Sequence, residues 1–205
     1  MFLKRIKSQK VSGYIHYFQI DDFWLNKINE VQRDEVRHRW SLGINVNPDS
    51  LDKSNIKSTS MSKSSFLILM AEGIKDIKTK EYLLNWAFEE QEDAVLDKHF
   101  NFIRIADEYK QMIKEDRKYY ANQIKILQLD CETFDSFCVE YKEQPYYNST
   151  EGLPNYPAFR ELAIAYERIG EIKKAIVISQ IAIDKSVNEK TSFHRRIEKL
   201  QKKIK

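Results

Sequence analysis

The stretch from Tyr156 to Asp184, YPAFRELAIAYERIGEIKKAIVISQIAID, constrains this chain more than any other. Phe159, the pair Leu162-Ala163 and Tyr166 recur at helical spacing. Gly170 then interrupts, and Ala175 and Ala182 place small side chains in the segment that follows. A small residue flanked by large ones lets two helices cross near the low end of the usual 8–10 Å separation, while the flanking rings fill the space on either side. Gly170 supplies the left-handed residue that ends a helix without Cβ strain. The pattern predicts a helical hairpin. One such hairpin cannot bury its apolar face alone, so stacked neighbours and an interaction surface are expected with it.

The same order recurs upstream. Leu67, Met70-Ala71 and Ile74 form one copy, and Phe102, Ile105-Ala106 and Tyr109 another. Ala71 and Ala106 are 35 residues apart, near the period of about 34 expected for stacked hairpins. The 57 residues from Ala106 to Ala163 leave room for an extra helix. Phe134, Phe137, Cys138 and Tyr141 supply its stripe, and QPYYNSTEGLPNYP supplies a loop after it. Only 5 glycines and 4 prolines interrupt 205 residues, which permits long helices and disfavours a turn-rich β fold. Helices are predicted near 21–28, 30–40, 64–76, 80–91, 97–114, 117–130, 133–142, 157–169, 172–186 and 192–203. The last, apolar at Phe193, Ile197, Leu200 and Ile204 and charged elsewhere, reads as a terminal capping helix. Residues 1–12 read as a frayed basic end. Gly13–Ile20 is aromatic and β-branched with no partner strand, and reads as an extended or turn-like segment packed on helices. Residues 43–62 lack aromatic side chains and read as a flexible linker between an N-terminal helical appendage, 1–42, and a repeat domain, 63–205.

Over 156–184, and to a lesser degree over 98–129 and 64–94, the chain resembles the tetratricopeptide repeat family. Ser179 stands where that family prefers an aromatic residue, and Val187 where a proline often closes the repeat. GYIHYFQIDDFWL near the start and RIEKLQKK near the end are similar to a group of bacterial helical-repeat proteins. The resemblance implies an all-α fold, a right-handed α-α superhelix of about three hairpins plus a capping helix. It also implies a non-enzymatic scaffold that binds protein or peptide.

Chemistry is poorly represented. His16, His38, His99 and His194 are scattered without a second histidine at i+4, no CxxC occurs, and GxGxxG, P-loop and GxSxG motifs are absent. Glu108-Tyr109-Lys110 and Glu140-Tyr141-Lys142 match a nuclease fragment only in spelling, since both fall on predicted helices. The acidic run at 89–93 lacks the glycine and spacing of a calcium loop. Cys131 and Cys138, two helical turns apart, are too distant for a disulfide and read as reduced thiols. No enzyme activity, cofactor or metal is expected. A net charge of +3, from 34 basic and 31 acidic residues, creates no global field for nucleic acid or membrane. MFLKRIKSQK has no apolar signal core, and the longest apolar runs are far too short to span a bilayer, so a cytoplasmic protein is expected.

Carried onto this chain, the family pattern places Glu72, Lys75 and Asp76, then Asp107, Lys110 and Gln111, then Arg160, Ile164, Glu167 and Arg168 on a concave peptide-binding face. The family's best-known use of that face clamps a peptide carboxylate, and Asp107 and Ile164 do not match that clamp. Arg160 and Arg168, two turns apart on one helix face, suit an acidic or amphipathic peptide. The alternative is a peptide-responsive bacterial regulator associated with nucleic acid through basic helices, either Arg33, Arg37 and Arg39 or the residues of 192–205.

Overall fold

The computed structural model of the chain describes residues 11–43, 46–91, 94–189 and 192–204. The expectation for the basic end, 1–12, lies almost wholly outside them. Among the described residues every regular element is helical. The chain forms two compact units that divide between Glu90 and Gln91.

In the first unit a short helix, α1 (Gly13–Tyr17), is followed by a π-helical turn at Phe23–Lys27 and by α2 (Glu30–Ser41). Asn29 caps α2 in a full capping box, its side chain accepting from the Gln32 N–H while Gln32 accepts from the Asn29 N–H. After a 3-10 turn at Pro48–Ser50 come α3 (Lys63–Gly73) and α4 (Ile77–Glu89), capped by Ser62 and Asp76. α2 packs on α3, and α3 on α4. Of the extended or turn-like segment expected over Gly13–Ile20, Gly13–Tyr17 is a short helix and Phe18–Gln19 a turn, so the extended form is not adopted. Strand propensity has no partner strand to act on here, and burying Ile15, Phe18 and Ile20 against helices decides the conformation instead.

Residues 46–62, within the stretch expected as a linker, belong to the first compact unit. Leu51 is fully buried, its carbonyl accepts from the Ile15 N–H at 3.0 Å, and the Trp40 indole donates to Ser50 Oγ at 3.1 Å. Arg37 holds Asp52 at 2.8 Å. Gly13 lets this segment approach. It sits at φ +64°, and a Cβ there would stand 2.3 Å from the Ser50 carbonyl oxygen. One leucine in a polar run carries little sequence signal, and its partners lie some forty residues upstream.

The second unit contains α5 (Val95–Met112), a 3-10 turn at Arg117–Tyr119, α6 (Tyr120–Lys142), α7 (Ala158–Arg168), α8 (Ile172–Asp184) and α9 (Phe193–Gln201). Each packs on its neighbours in the chain: α5 on α6, α6 on α7, α7 on α8, α8 on α9. The two helices expected at 117–130 and 133–142 are one 23-residue helix. No glycine or proline breaks it, and Thr133 bonds back to the Asp130 carbonyl at 2.8 Å without leaving the helix. Gly170, at φ +85°, ends α7, and Glu171 N–H reaches back to the Tyr166 carbonyl at 2.9 Å.

The small residues of all three copies are buried: Ala71 and Ala163 fully, Ala106 nearly so, with Ala175 and Ala182 on the return helix. Ser179 is buried too, its hydroxyl satisfied by the Ala175 carbonyl at 2.8 Å. Cys131 and Cys138 are free thiols, and burial pushes both up from the usual thiol range. No helix among the described residues is long and apolar enough to cross a membrane.

Candidate functional site

α5 and α7 carry the expected binding residues. The Val95 N–H, one of the orphan donors at the start of α5, is satisfied by Glu140 Oε2 at 3.2 Å, which ties α5 to the far end of α6. Pro157 stands at the N-cap of α7, with its fixed φ leading the chain into the helix. The approach to α7 is pinned to the loop after α8. Tyr156 N–H donates to the Asn188 carbonyl at 3.1 Å, and Asn188 donates to the Leu153 carbonyl at 2.7 Å.

These elements bring Lys110, Arg160 and Asp107 together. Lys110 Nζ lies 2.6 Å from Glu161 Oε2. Arg160 lies 3.0 Å from Glu161 Oε1 and 3.1 Å from Glu189 Oε1. Asp107, Gln123, Asn155, Arg160 and Glu161 line a cleft of about 230 Å³ whose apolar walls include Ile103, Leu127 and Pro157. Asp107 is exposed at the rim, and burial of its other side raises its carboxyl above the usual range, with Lys110 opposing the shift.

The remaining expected residues do other things. Glu167 binds Arg196 at 3.2 Å and Lys203 at 2.6 Å, fastening α9 across α7. The Lys203 hydrogen bond and the surrounding cations hold its carboxyl below the ordinary range. Arg168 is exposed, Ile164 is half-buried, and exposed Gln111 accepts a hydrogen bond from Lys114. Glu72 pairs with Arg39, and Asp76 caps α4 by accepting from the Thr79 N–H at 2.9 Å, so both serve the first unit.

Beside the cleft lies a polar cluster that sequence reading missed. His99 Nδ1 is 2.8 Å from Asp130 Oδ1, and the Tyr156 hydroxyl lies 2.7 Å from the Asp130 carbonyl and 2.8 Å from Oδ1. Asp130 and Tyr156 are fully buried and His99 is 3% exposed. The His99 and Tyr156 rings stack at 4.1 Å, with Phe134 and Phe137 packed against Tyr156. Burial raises the Asp130 carboxyl, opposed by the hydrogen bonds from His99, Tyr156 and Thr133. The one available signal was Asp130 itself, a carboxylate at a helix position between Leu127 and Phe134, which should face inward. The framework satisfies one carboxylate oxygen of Asp130 and leaves Oδ2 buried without a hydrogen-bond partner among the described residues, with the Cys131 thiol, pushed up by burial, beside it. No group of three His, Cys, Asp or Glu side chains among the described residues could hold a metal ion.

Set against protein-family models, curated proteins and solved structures, the chain matches none of them.

Proposed function

We propose that the chain is a cytoplasmic, non-enzymatic binding module of the tetratricopeptide type, whose second unit receives a peptide segment of a protein partner along α5 and α7. The observation that carries this reading is the packing of α5 to α9, each on its neighbours in the chain. Stacked helical hairpins pack in this neighbour-to-neighbour way, and the extended surface they create is suited to binding, which supports the reading. The burial of Ala106 and Ala163 with their flanking Phe102, Tyr109, Phe159 and Tyr166 supports it.

The ion pairs narrow the expected peptide. Arg160 already faces two carboxylates, so it offers an acidic ligand little free charge. An amphipathic peptide fits better than an acidic one. The regulator reading gains no support from the arginines of α2. Arg33 pairs with Glu30, Arg37 with Glu30, Asp34 and Asp52, and Arg39 with Glu72.

Selection of a randomised peptide library on the full chain tests the proposal. Enriched peptides should bind a wild-type chain and lose affinity to one altered along α5 and α7. Duplex DNA should show no binding that falls steeply between about 50 and 200 mM salt. Salt-sensitive DNA binding with no enriched peptide would replace this reading with the regulator.

A further inference from the structure

The first unit carries an open cleft of about 460 Å³ lined by Phe23, Lys27, Lys78, Thr79 and Tyr82. Its wall is aromatic. Phe23 and Tyr82 stack nearly parallel, 7° apart in plane with ring centroids at 5.5 Å. Trp86 packs edge-on against both rings at 5.9 and 6.0 Å, and its indole N–H donates to Glu90 Oε1 at 3.0 Å, which holds the group in place. Phe23 is buried, yet Tyr82 is 55% exposed, so the stack presents an open tyrosine to the cleft. A second observation concerns charge. Lys27 and Lys78 line the same cleft, are both exposed, and make no ion pair among the described residues. They come from different elements, Lys27 from the end of the π-helical turn and Lys78 from the first turn of α4. π-helical turns are rare and recur at functional sites, and this one delivers both Phe23 and Lys27 to the cleft. Asp76 feels the Lys78 charge, but that carboxylate is engaged by the Thr79 N–H and hydroxyl at 2.9 and 2.6 Å.

The volume lies within the range of about 300–1,000 Å³ that small-molecule sites occupy. We propose that this cleft binds a small planar aromatic acid, independently of the peptide surface assigned to the second unit. The ligand's ring packs on Tyr82 in offset or edge-on contact. Its carboxylate is met by the ammonium groups of Lys27 and Lys78, which have donors and no acceptor. An aromatic cation would be attracted by the ring face but repelled by both lysines. An aliphatic acid would satisfy the lysines and forgo the ring contact. A nucleotide would bring sugar and base-edge groups that need partners of their own. The Thr79 hydroxyl, held by Asp76 and accepting from Gln32 at 3.0 Å, is already occupied. That leaves the Tyr82 hydroxyl as the one further polar side-chain group among the described residues lining the cleft.

Naphthoate, naphthamide, cyclohexanecarboxylate, adenosine monophosphate and an end-blocked peptide with phenylalanine between two aspartates are titrated into the full chain. Backbone amide shifts locate each binding site. Naphthoate should bind saturably, with shifts centred on Phe23, Lys27, Thr79 and Tyr82. It should bind about fivefold or more tightly than its neutral amide, the scale of two partly screened ion pairs. It should also exceed cyclohexanecarboxylate, the nucleotide and the peptide. The double change Lys27→Met with Lys78→Met keeps two apolar stems and should abolish the preference for naphthoate over naphthamide. Tyr82→Ala should weaken both naphthyl ligands while leaving helicity unchanged by circular dichroism. Equal affinity for naphthoate and naphthamide, an unaltered preference in the double lysine variant, or shifts centred outside the cleft would overturn the site. Tighter binding of adenosine monophosphate would overturn the aromatic-acid class, and tighter binding of the peptide would overturn the small-molecule source.

Discussion

The two units bury aromatic clusters by different means. In the first, Tyr14, Phe18, Trp40 and Phe66 meet ring to ring, with Tyr14–Trp40 at 4.8 Å and Phe18–Phe66 at 4.9 Å. Its ion pairs, such as Arg37–Asp52 and Arg39–Glu72, are partly exposed at the edge. In the second, Tyr156, Phe134 and Phe137 enclose the His99–Asp130 pair. An apolar cluster needs volume and tolerates small shifts. A buried carboxylate costs several kcal/mol and regains it only where its donors are correctly placed. The polar cluster joins α5, α6 and the entry to α7, the elements that wall the cleft, through directional hydrogen bonds. The first unit is held by packing, whereas the second is held by packing plus a positional constraint next to its candidate site.

The largest effects should come from breaking either cluster. Phe66→Ala in the first unit should cost about 3–5 kcal/mol by leaving a cavity among rings. His99→Leu should cost a similar amount, about 3–5 kcal/mol, by leaving the buried Asp130 carboxylate with the Tyr156 hydroxyl but without its imidazole partner. Denaturant midpoints measure both. The double change His99→Leu with Asp130→Leu should be less destabilising than His99→Leu alone, because no charge is then stranded. If it is additive instead, the cluster is ordinary packing and the contrast between the units is lost.

A smaller effect tests what the units share. Ala163→Leu in the second unit and Ala71→Leu in the first should each cost about 1–3 kcal/mol by overpacking a fully buried position. An unchanged midpoint for either would remove that hairpin from the repeat pattern.

These alanines also mark how far the sequence could be read. The spacing of Ala71, Ala106 and Ala163 with their large neighbours reports helix contacts within each hairpin, which are local and periodic. Asp107, Lys110 and Arg160 were legible as neighbours for the same reason. Tertiary pairing was not legible. Glu161 and Glu189, which neutralise Arg160, and Gln123, which lies in the cleft, belong to no period. Asp130 carried a signal only through its inward-facing position, and its partner Tyr156, 26 residues later, was not legible. Leu51 and Gly13 were hidden likewise, each uninformative without the other.

Smaller still is the fastening of α9. Glu167→Gln should cost under about 1 kcal/mol, the range for partly exposed ion pairs. The sign with pH follows from its depressed carboxyl. The ionised group stabilises α9 above the unfolded carboxyl value of about 4.3, and the contribution is lost as pH falls through the lower folded value. Amide protection around Phe193 and Leu200 should drop on acidification in the wild type, and depend less on pH in Glu167→Gln. The smallest effect is expected for Arg168→Ala, under about 0.5 kcal/mol, since its side chain is exposed.

Hydrogen exchange on the full chain, with and without a selected peptide, tests most directly whether the second unit is the binding unit. New protection should appear in α5 and α7, around Asp107 to Gln111 and Arg160 to Ile164, with residues 13–89 unchanged. Protection confined to α2, α3 or α4, or absent from α5 and α7 when the peptide is bound, would contradict the assignment.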